Sequence, residues 1–364
     1  MNDLYQPFSG LPKGSRVMVA FSGGVDSSVA AYLCKQAGLE VRAVTMSLLG
    51  PDRFDSSRAE KIAAQLDLPL DILDLSAEFE RIVLRGTWNI YAAGKTPNPC
   101  AVCNPRFKFG CLEDFARRHD CQALVTGHYA RLEHHDGFPV LRKGICREKD
   151  QTYFLFGLSR AQLNMACFPL GGMEKSEVRA IAKQLGLASA EAPESQDACF
   201  APTDGGNMAE MLRCRFGEPA LTGDFVDMHG KVLGKHCGIH AYTLGQRKGT
   251  GVALGRPAYV QKIDAAKRQI VLTPDSSELM SQEIRLAEPN IQLTEYESLR
   301  EFDCEVKIRY RSKAVRAHIG RDDAGCRLTF EDPQRAVTPG QAAVFYDGDR
   351  LIGGAWIDSV PWRA

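Results

Sequence analysis

Three cysteines lie in polar or proline-containing segments, where their thiols could take part in chemistry. Cys100 and Cys103 form a C-x-x-C pair within the thiol loop, residues 96–104, which two prolines stiffen. This spacing places both thiols at the start of a helix, which we expect to lower their pKa and favour the thiolate. Cys199 lies in the polar segment 194–200. Taken alone, the pair is a redox pair, half of a metal site or two inert thiols, and Cys199 is either reactive or an ordinary loop residue.

A second segment has the residue types of an anion site. The phosphate loop, residues 22–28, reads Ser-Gly-Gly-Val-Asp-Ser-Ser and follows the apolar run 17–21. Two glycines allow a sharp turn and close approach of the backbone to a ligand, and the first N–H groups of a following helix attract anions. The loop lacks the Gly-Lys-Ser/Thr of a Walker A sequence and the pattern G-x-G-x-x-G. We expect it to bind phosphate, and the alternative is an ordinary glycine-rich turn with a good helix cap.

A third segment could contact nucleic acid. In residues 305–313 a cation occupies every second position, and apolar or aromatic residues lie between the cations. This alternation predicts a strand with a row of cations on one face, which suits a phosphate backbone, unless it is only a solvated face. The cations are Lys307, Arg309, Arg311 and Lys313.

These segments must be held by regular elements, and the pattern of the elements changes along the chain. The first two hundred residues alternate β-like runs with amphipathic helices, which predicts a parallel sheet covered on both faces. The runs are 17–21, 41–48, 70–75 and 123–132, and the helices are 27–37, 56–66, 77–91, 107–118 and 174–185. Short β-like runs dominate after about residue 205 and predict β-rich modules in the form of small barrels. We therefore expect three domains, over residues 1–205, 206–280 and 281–364.

Composition limits the class of protein. The 364 residues are 44% apolar and 25% charged, which is ordinary for globular domains, and no apolar run is long enough for a membrane helix. The 45 basic and 45 acidic residues cancel, so nucleic acid would be held at a local basic site. Because the first residues show no secretory pattern and the 12 cysteines lack dense spacing, we expect a reducing cytoplasm.

The phosphate loop resembles the pyrophosphate-binding loop of the N-type ATP pyrophosphatases, which split ATP into AMP and pyrophosphate. Together with the cysteine segments it resembles the tRNA-specific 2-thiouridylases, and the resemblance runs nearly from end to end. It implies an α/β fold, with a Rossmann-like ATP pyrophosphatase domain followed by a β-rich central module and a C-terminal β-barrel that binds tRNA. Further matching segments are residues 126–131, 149–154, 242–249, 308–311 and 338–342.

The resemblance also implies an activity and the residues that perform it. The activity is ATP-dependent thiolation of C2 of the wobble uridine (position 34) of tRNA, with Cys103 as nucleophile and Cys199 as the carrier of a persulfide. The positions that match the family's nucleotide site are Ala20, Phe21, Ser22, Gly23, Gly24, Val25, Asp26, Ser27, Met46 and Gly127. The positions that match its tRNA contacts are Asn98, Pro99, Cys100, His128, Lys149, Asp150, Gln151, Arg309, Tyr310 and Gln341. The implied cofactors are ATP and Mg²⁺, and the implied partners are tRNA and a sulfur donor or relay protein.

Two departures from the family's pattern bear on the sulfur chemistry. Many members have Asp where this chain has Cys100, so three thiols, Cys100, Cys103 and Cys199, share one expected site. That arrangement resembles tRNA thiolases in which three cysteines hold a 4Fe–4S cluster, and the competing mechanism is a Cys199 persulfide resolved by Cys103 through a disulfide. Only residues 50–55 lie where many relatives have a longer acidic insert, which affects docking of a sulfur donor. Alternative functions are another adenylating enzyme with a small substrate and a non-catalytic tRNA-binding or iron–sulfur carrier protein.

Overall fold

The first part of the chain folds around a parallel sheet, as the alternation of strands and helices predicts. A computed structural model describes residues 5–188, 190, 198–202, 205–252, 255, 257–322 and 325–361. Its first seven strands are β1 (Arg16–Ala20), β2 (Glu40–Ser47), β3 (Leu70–Asp74), β4 (Ala123–Val125), β5 (Ala130–His135), β6 (Phe138–Lys143) and β7 (Ala166–Cys167). Five of them form the parallel sheet β3-β2-β1-β4-β7. Because β2 and β4 flank β1, the carboxyl end of β1 is a topological switch point, where such sheets bind ligands.

Helices cover both faces of this sheet. Alternate residues of β1 face opposite sides, so Val17 and Val19 belong to one apolar core and Met18 to the other. Two π-helical segments, Glu80–Leu84 and Asn104–Leu112, continue α-helices, and the second is kinked at Phe109, which has φ −90° and ψ 15°. The α-helices are α1 (Val25–Gln36), α2 (Ser57–Gln65), α3 (Ser76–Phe79), α4 (Arg85–Ala92), α5 (Pro99–Cys103), α6 (Glu113–Arg118), α7 (Arg160–Met165), α8 (Lys175–Gln184) and α9 (Met208–Arg215). Short 3₁₀ turns are Pro51–Arg53, Thr152–Phe154, Pro169–Gly172, Ile239–Ala241 and Ser276–Leu279.

The single strand expected over residues 123–132 is wrong, because the chain forms two strands there. β4 ends at Val125, and the chain turns at Gly127, where a Cβ would lie 3.0 Å from the carbonyl carbon of Asp26. β5 then pairs antiparallel with β6 and leaves the parallel sheet. The apolar run continues through the turn, so hydrophobic spacing could not reveal it.

A small β-rich module follows α9. Its strands are β8 (Gly223–Val226), β9 (Val232–His236), β10 (Tyr259–Asp264) and β11 (Gln269–Thr273). They form a four-stranded sheet in the order β10-β11-β8-β9, in which β8 and β11 are parallel and the other pairs antiparallel. Its buried core includes Phe225, Ile239, Val260, Ile270 and Leu272.

The last part of the chain is a closed six-stranded antiparallel barrel. Its strands are β12 (Met280–Ile291), β13 (Glu301–Lys307), β14 (Val315–Asp322), β15 (Gly325–Arg335), β16 (Ala342–Asp347) and β17 (Arg350–Ser359), with the short helix α10 (Thr294–Glu297) between the first two. The barrel closes because β12 pairs with both β15 and β17. The β5–β6 hairpin joins its outside through β17, where Arg142 pairs with Arg350. None of the helices described is long and apolar enough to cross a membrane.

The expected strand with four alternating cations is wrong beyond Lys307. β13 ends at that residue, and the chain turns through residues 308–314, where Ser312 N–H donates to the Arg309 carbonyl at 3.1 Å. The Tyr310 ring packs 4.5 Å from that of Phe154, which draws the chain away from the strand direction. The cations of this segment therefore do not form one row on a strand face.

Candidate active site

The phosphate loop lies at the carboxyl end of β1 and leads into α1. Gly23 has φ +68°, and a Cβ there would lie 2.9 Å from the Ala59 Cα, so only glycine fits without strain. Ser27 Oγ accepts from Ser22 N–H and donates to the Gly24 carbonyl, both at 3.2 Å. Gly24 precedes α1 and supplies no side-chain cap. The loop is thus a rigid turn that presents uncapped helical N–H groups to an anion.

Asp26, in the first turn of α1, is held by two residues from distant parts of the chain. Tyr129 Oη donates to Asp26 Oδ1 at 2.8 Å, and Lys175 Nζ lies 2.5 Å from the same oxygen. The Lys175 side chain is only 12% exposed, and its ammonium group lies 5.4 Å from the Tyr129 ring centre. Gly127 packs against the backbone of Asp26, as noted above. Sequence reasoning assigned no role to Tyr129, although it lies in the matching segment 126–131, or to Lys175, because these residues lie 103 and 149 residues from Asp26.

The other residues expected at the nucleotide site border the same sheet edge. Phe21 is buried, and its N–H donates to the Val44 carbonyl at 2.7 Å, which continues the pairing of β1 and β2 past Ala20. Met46, near the end of β2, is half-buried and packs against two apolar cores. Contact of Met46 with adenine stays a prediction.

The thiol loop begins a short helix, as predicted. Asn98 Oδ1 accepts from Ala101 N–H at 3.2 Å and caps α5, and Pro99 occupies its first turn. The expectation of lowered thiol pKa values is wrong: burial raises the pKa of Cys103 to about 12 and also raises that of Cys100. A five-residue helix has too weak a dipole to offset the loss of hydration around these sulfurs.

An apolar cluster brings Cys199 to the thiol loop. The Phe79 ring contacts Phe107 at 5.3 Å and Phe200 at 5.8 Å, and Cys103 packs at the edge of this cluster. Cys199, next to Phe200, is exposed, and its charge adds to the rise in the pKa of Cys103 that burial causes. Residues 194–197 of the predicted Cys199 segment lie outside the described residues.

The thiols do not assemble a metal centre in this structure. All 12 cysteines are free. Across the described ranges, no three or more His, Cys, Asp or Glu side chains converge in a way that could hold a metal ion, and all three candidate cluster cysteines lie in those ranges. The residues present therefore do not fit the 4Fe–4S hypothesis.

Three of the expected tRNA-contacting residues are buried and structural in this state. The His128 ring is 6% exposed, its Nδ1 lies 2.6 Å from Thr126 Oγ1, and its burial holds the pKa of His128 well below the usual range. Asp150 is also buried and accepts from Gly144 N–H at 3.2 Å. Asn98 caps α5 as described. Their contact with tRNA stays a prediction, which this burial does not favour.

The remaining expected tRNA residues connect the barrel to the site. Gln341 Nε2 donates to the carbonyls of Thr96 and Pro97 at 3.1 and 2.9 Å, so the barrel holds the thiol loop directly. Gln151 N–H donates to the Tyr129 carbonyl at 3.0 Å, and Tyr129 N–H donates to Gln151 Oε1 at 3.1 Å. Arg309 is exposed and donates to the Ala336 carbonyl. The other expected residues are half-buried, namely Pro99, Cys100, Lys149 and Tyr310.

Comparison with known proteins bears on this arrangement. Residues 15–203 match the model described as the tRNA methyl transferase HUP domain, residues 214–274 the tRNA methyl transferase PRC-barrel domain and residues 281–357 the Aminomethyltransferase beta-barrel domain. The tRNA-specific 2-thiouridylase MnmA of Geotalea uraniireducens (strain Rf4) is 41% identical over 363 residues, 95% of this chain and 96% of the relative. The chain belongs to the tRNA-specific 2-thiouridylase family. The MnmA protein of Syntrophotalea carbinolica is likewise 41% identical, over 95% of this chain and 99% of its own.

Membership of the 2-thiouridylase family confirms the predicted fold class and implies that the chain uses ATP. The three domain limits given by the sequence stay a prediction, since the β5–β6 hairpin of the first part is attached to the barrel. The arrangement combines helical N–H groups that could bind an anion at α1, the neighbouring segments of Cys103 and Cys199, and a barrel that holds the thiol loop through Gln341.

Proposed function

We propose that this protein thiolates C2 of the wobble uridine of tRNA and produces 2-thiouridine. The observation that carries the proposal is that one fold joins the phosphate loop, the Cys103–Cys199 pair and a barrel that holds the thiol loop through Gln341. The 41% identity to relatives named tRNA-specific 2-thiouridylase supports it over both alternative functions. A tRNA substrate and the free thiols suit a reducing cytoplasm.

The first step activates a poor leaving group. The uridine O2 attacks the α-phosphorus of ATP, the P–O bond to the β-phosphate breaks, and pyrophosphate leaves. The N–H groups at the start of α1 bind the negative phosphates, and Asp26 is the carboxylate at the loop that would hold Mg²⁺ together with those phosphates. Bound Mg²⁺ would neutralise charge on the leaving pyrophosphate. The base must leave the anticodon stack to reach this site.

The second step transfers sulfur and uses both cysteines. A donor or relay protein loads a persulfide on Cys199, its terminal sulfur attacks C2, and AMP leaves. The Cys103 thiolate then attacks the Cys199 sulfur, which releases the 2-thio group and forms a Cys103–Cys199 disulfide. A thiol reductant restores both cysteines for the next turnover. Cys199 is exposed and Cys103 is only half-buried, which suits the roles of loaded and resolving cysteine.

The decisive experiment is mass spectrometry of nucleosides. Unmodified tRNA is incubated with the protein, Mg-ATP and inorganic polysulfide, which supplies sulfur at the oxidation level of a persulfide for a single turnover, in parallel with Cys199→Ala. We expect a 2-thiouridine peak that requires both ATP and Cys199. Pyrophosphate release without this peak in any condition would refute sulfur transfer, and absence of both products would favour one of the alternative functions.

Iron analysis separates the two sulfur mechanisms. Protein purified without oxygen should contain no iron or labile sulfide above background, because the three candidate cysteines do not converge on a metal position. Iron near four atoms per chain, lost in Cys100→Ala, would overturn the persulfide mechanism.

A further inference from the structure

Lys108 is a cation of the site that neither the motifs nor the proposed steps use. It lies on the π-helical segment Asn104–Leu112, five residues after Cys103, and is half-buried. Within the described ranges its ammonium group has no hydrogen-bond or ion-pair partner. An ammonium group that is partly removed from water and left unpaired is unfavourable, which indicates a place for an anion that arrives later.

The residues on either side of Lys108 fix where it lies. Phe107 packs on Phe79 at 5.3 Å, in the cluster that also holds the chain next to Cys199. Phe109 packs 6.4 Å from the His128 ring on the other side. Lys108 therefore lies between the cysteine pair and His128.

The helix that carries Lys108 is held firmly. Gln162 Nε2 donates to the carbonyls of Pro105 and Phe109 at 2.7 and 2.5 Å, and Asn104 Nδ2 donates to the Phe154 carbonyl at 3.1 Å. π-Helical segments of this kind occur often at functional sites. The position of Lys108 is thus set by the fold rather than by a mobile surface.

The charge of Lys108 acts on the groups around this space. Burial raises the pKa of Cys103, and the Lys108 ammonium opposes that rise. Burial lowers the pKa of His128, and Lys108 lowers it further. His128 follows Gly127, which packs against Asp26 of the phosphate loop. The ammonium group therefore lies close enough to act on both Cys103 and the residue that follows Gly127.

We propose that Lys108 binds a phosphate group of the reacting complex in the gap between the cysteine pair and the phosphate loop. This inference rests on the proposed function, because adenylation places the α-phosphate on uridine O2, and that phosphate must lie between the loop that supplies it and the sulfur that displaces it. Lys175, the cation at the other end, is engaged by Asp26 at 2.5 Å. The phosphate is either the α-phosphate of the nucleotide or a phosphodiester of the tRNA beside the target uridine.

The test compares Lys108→Gln and Lys108→Arg with Lys183→Gln, which removes an exposed charge on α8 by the same substitution. Exchange of labelled pyrophosphate into ATP in the presence of tRNA reports adenylation, and tRNA binding is measured over a series of salt concentrations. Thermal unfolding of each variant confirms that it folds. Wild-type protein is assayed for 2-thiouridine in the same experiment.

If Lys108 binds a phosphate of the nucleotide, we expect Lys108→Gln to lower the rate of pyrophosphate exchange by about 10²-fold with little change in tRNA affinity, and Lys108→Arg to recover much of that rate. If Lys108 binds a phosphodiester of the tRNA, we expect Lys108→Gln to weaken tRNA binding and to lower the slope of log affinity against log salt concentration by about one. Lys183→Gln should change neither. Unchanged exchange and tRNA binding in Lys108→Gln, with active wild type, would overturn this inference alone, whereas wild type without exchange or 2-thiouridine would overturn the proposed function.

Discussion

Tyr129 donates a hydrogen bond of 2.8 Å to Asp26 across 103 residues of sequence, and this bond connects the segment that follows β4 to the phosphate loop. Two further hydrogen bonds join Gln151 to the backbone N–H and carbonyl groups of Tyr129. The orientation of Asp26 therefore depends on residues next to His128 and Gln151, for which tRNA contact stays a prediction. A loop that must bind triphosphate benefits from such a fixed carboxylate, because less order has to be gained when ATP arrives.

Tyr129→Phe removes only the hydroxyl group and should weaken ATP binding. A hydrogen bond to a charged group contributes about 1.5 kcal/mol or more, so we expect KM for ATP to rise about tenfold. Steady-state pyrophosphate release at saturating tRNA measures this. Tyr259→Phe, in the small β-rich module, is the matched control. An unchanged KM for ATP in Tyr129→Phe would show that the bond to Asp26 plays no part in nucleotide binding.

Gly23→Ala should abolish ATP binding and destabilise the protein. The left-handed φ of +68° costs an L-residue about 1–2 kcal/mol, and the new Cβ would also meet the Ala59 backbone at 2.9 Å. Gly14→Ala separates the two effects, since Gly14 has φ +84° with nothing within 4 Å of an added Cβ. Thermal unfolding and nucleotide titration of both variants provide the measurement, and equal losses in the two would rule out the steric contact with α2.

Local sequence predicts much of this fold but not the contacts that complete the site. The phosphate loop and α1 are adjacent in the chain, so their geometry follows from glycine and strand–helix patterns. The contact of Lys175 with Asp26 depends on the path of α8 over the sheet, which no nearby residue specifies. The end of β13 at Lys307 was missed for a similar reason, because the packing of Tyr310 on Phe154 is a tertiary contact that overrides the alternating pattern.

Gln341→Leu should separate the two chemical steps. The variant loses both hydrogen bonds to the Thr96 and Pro97 carbonyls and frees the thiol loop, while the phosphate loop is untouched. We expect tRNA-dependent pyrophosphate release to stay within about threefold of wild type and 2-thiouridine yield to fall at least tenfold, since a small displacement of a nucleophile is costly. Gln334→Leu, the same substitution at a half-buried position on β15, is the control. Parallel loss of both products in Gln341→Leu would contradict this role.

Alkylation of Cys103 should be slow at neutral pH and should accelerate as the pH rises. Burial raises the pKa of Cys103 to about 12, whereas a free cysteine has an ordinary pKa of about 8.5. Because iodoacetamide consumes the thiolate, the rate should rise about tenfold per pH unit until the raised pKa is reached. The unfolded chain loses the Cys103 proton at a lower pH than the folded chain does. The contribution of Cys103 to the free energy of unfolding is therefore complete below about pH 8.5 and declines as the pH rises toward 12. Site-resolved mass spectrometry compares Cys103 with the exposed Cys214 and with denatured protein, and a native Cys103 that reacts as fast as the denatured one at pH 8 would contradict the burial argument.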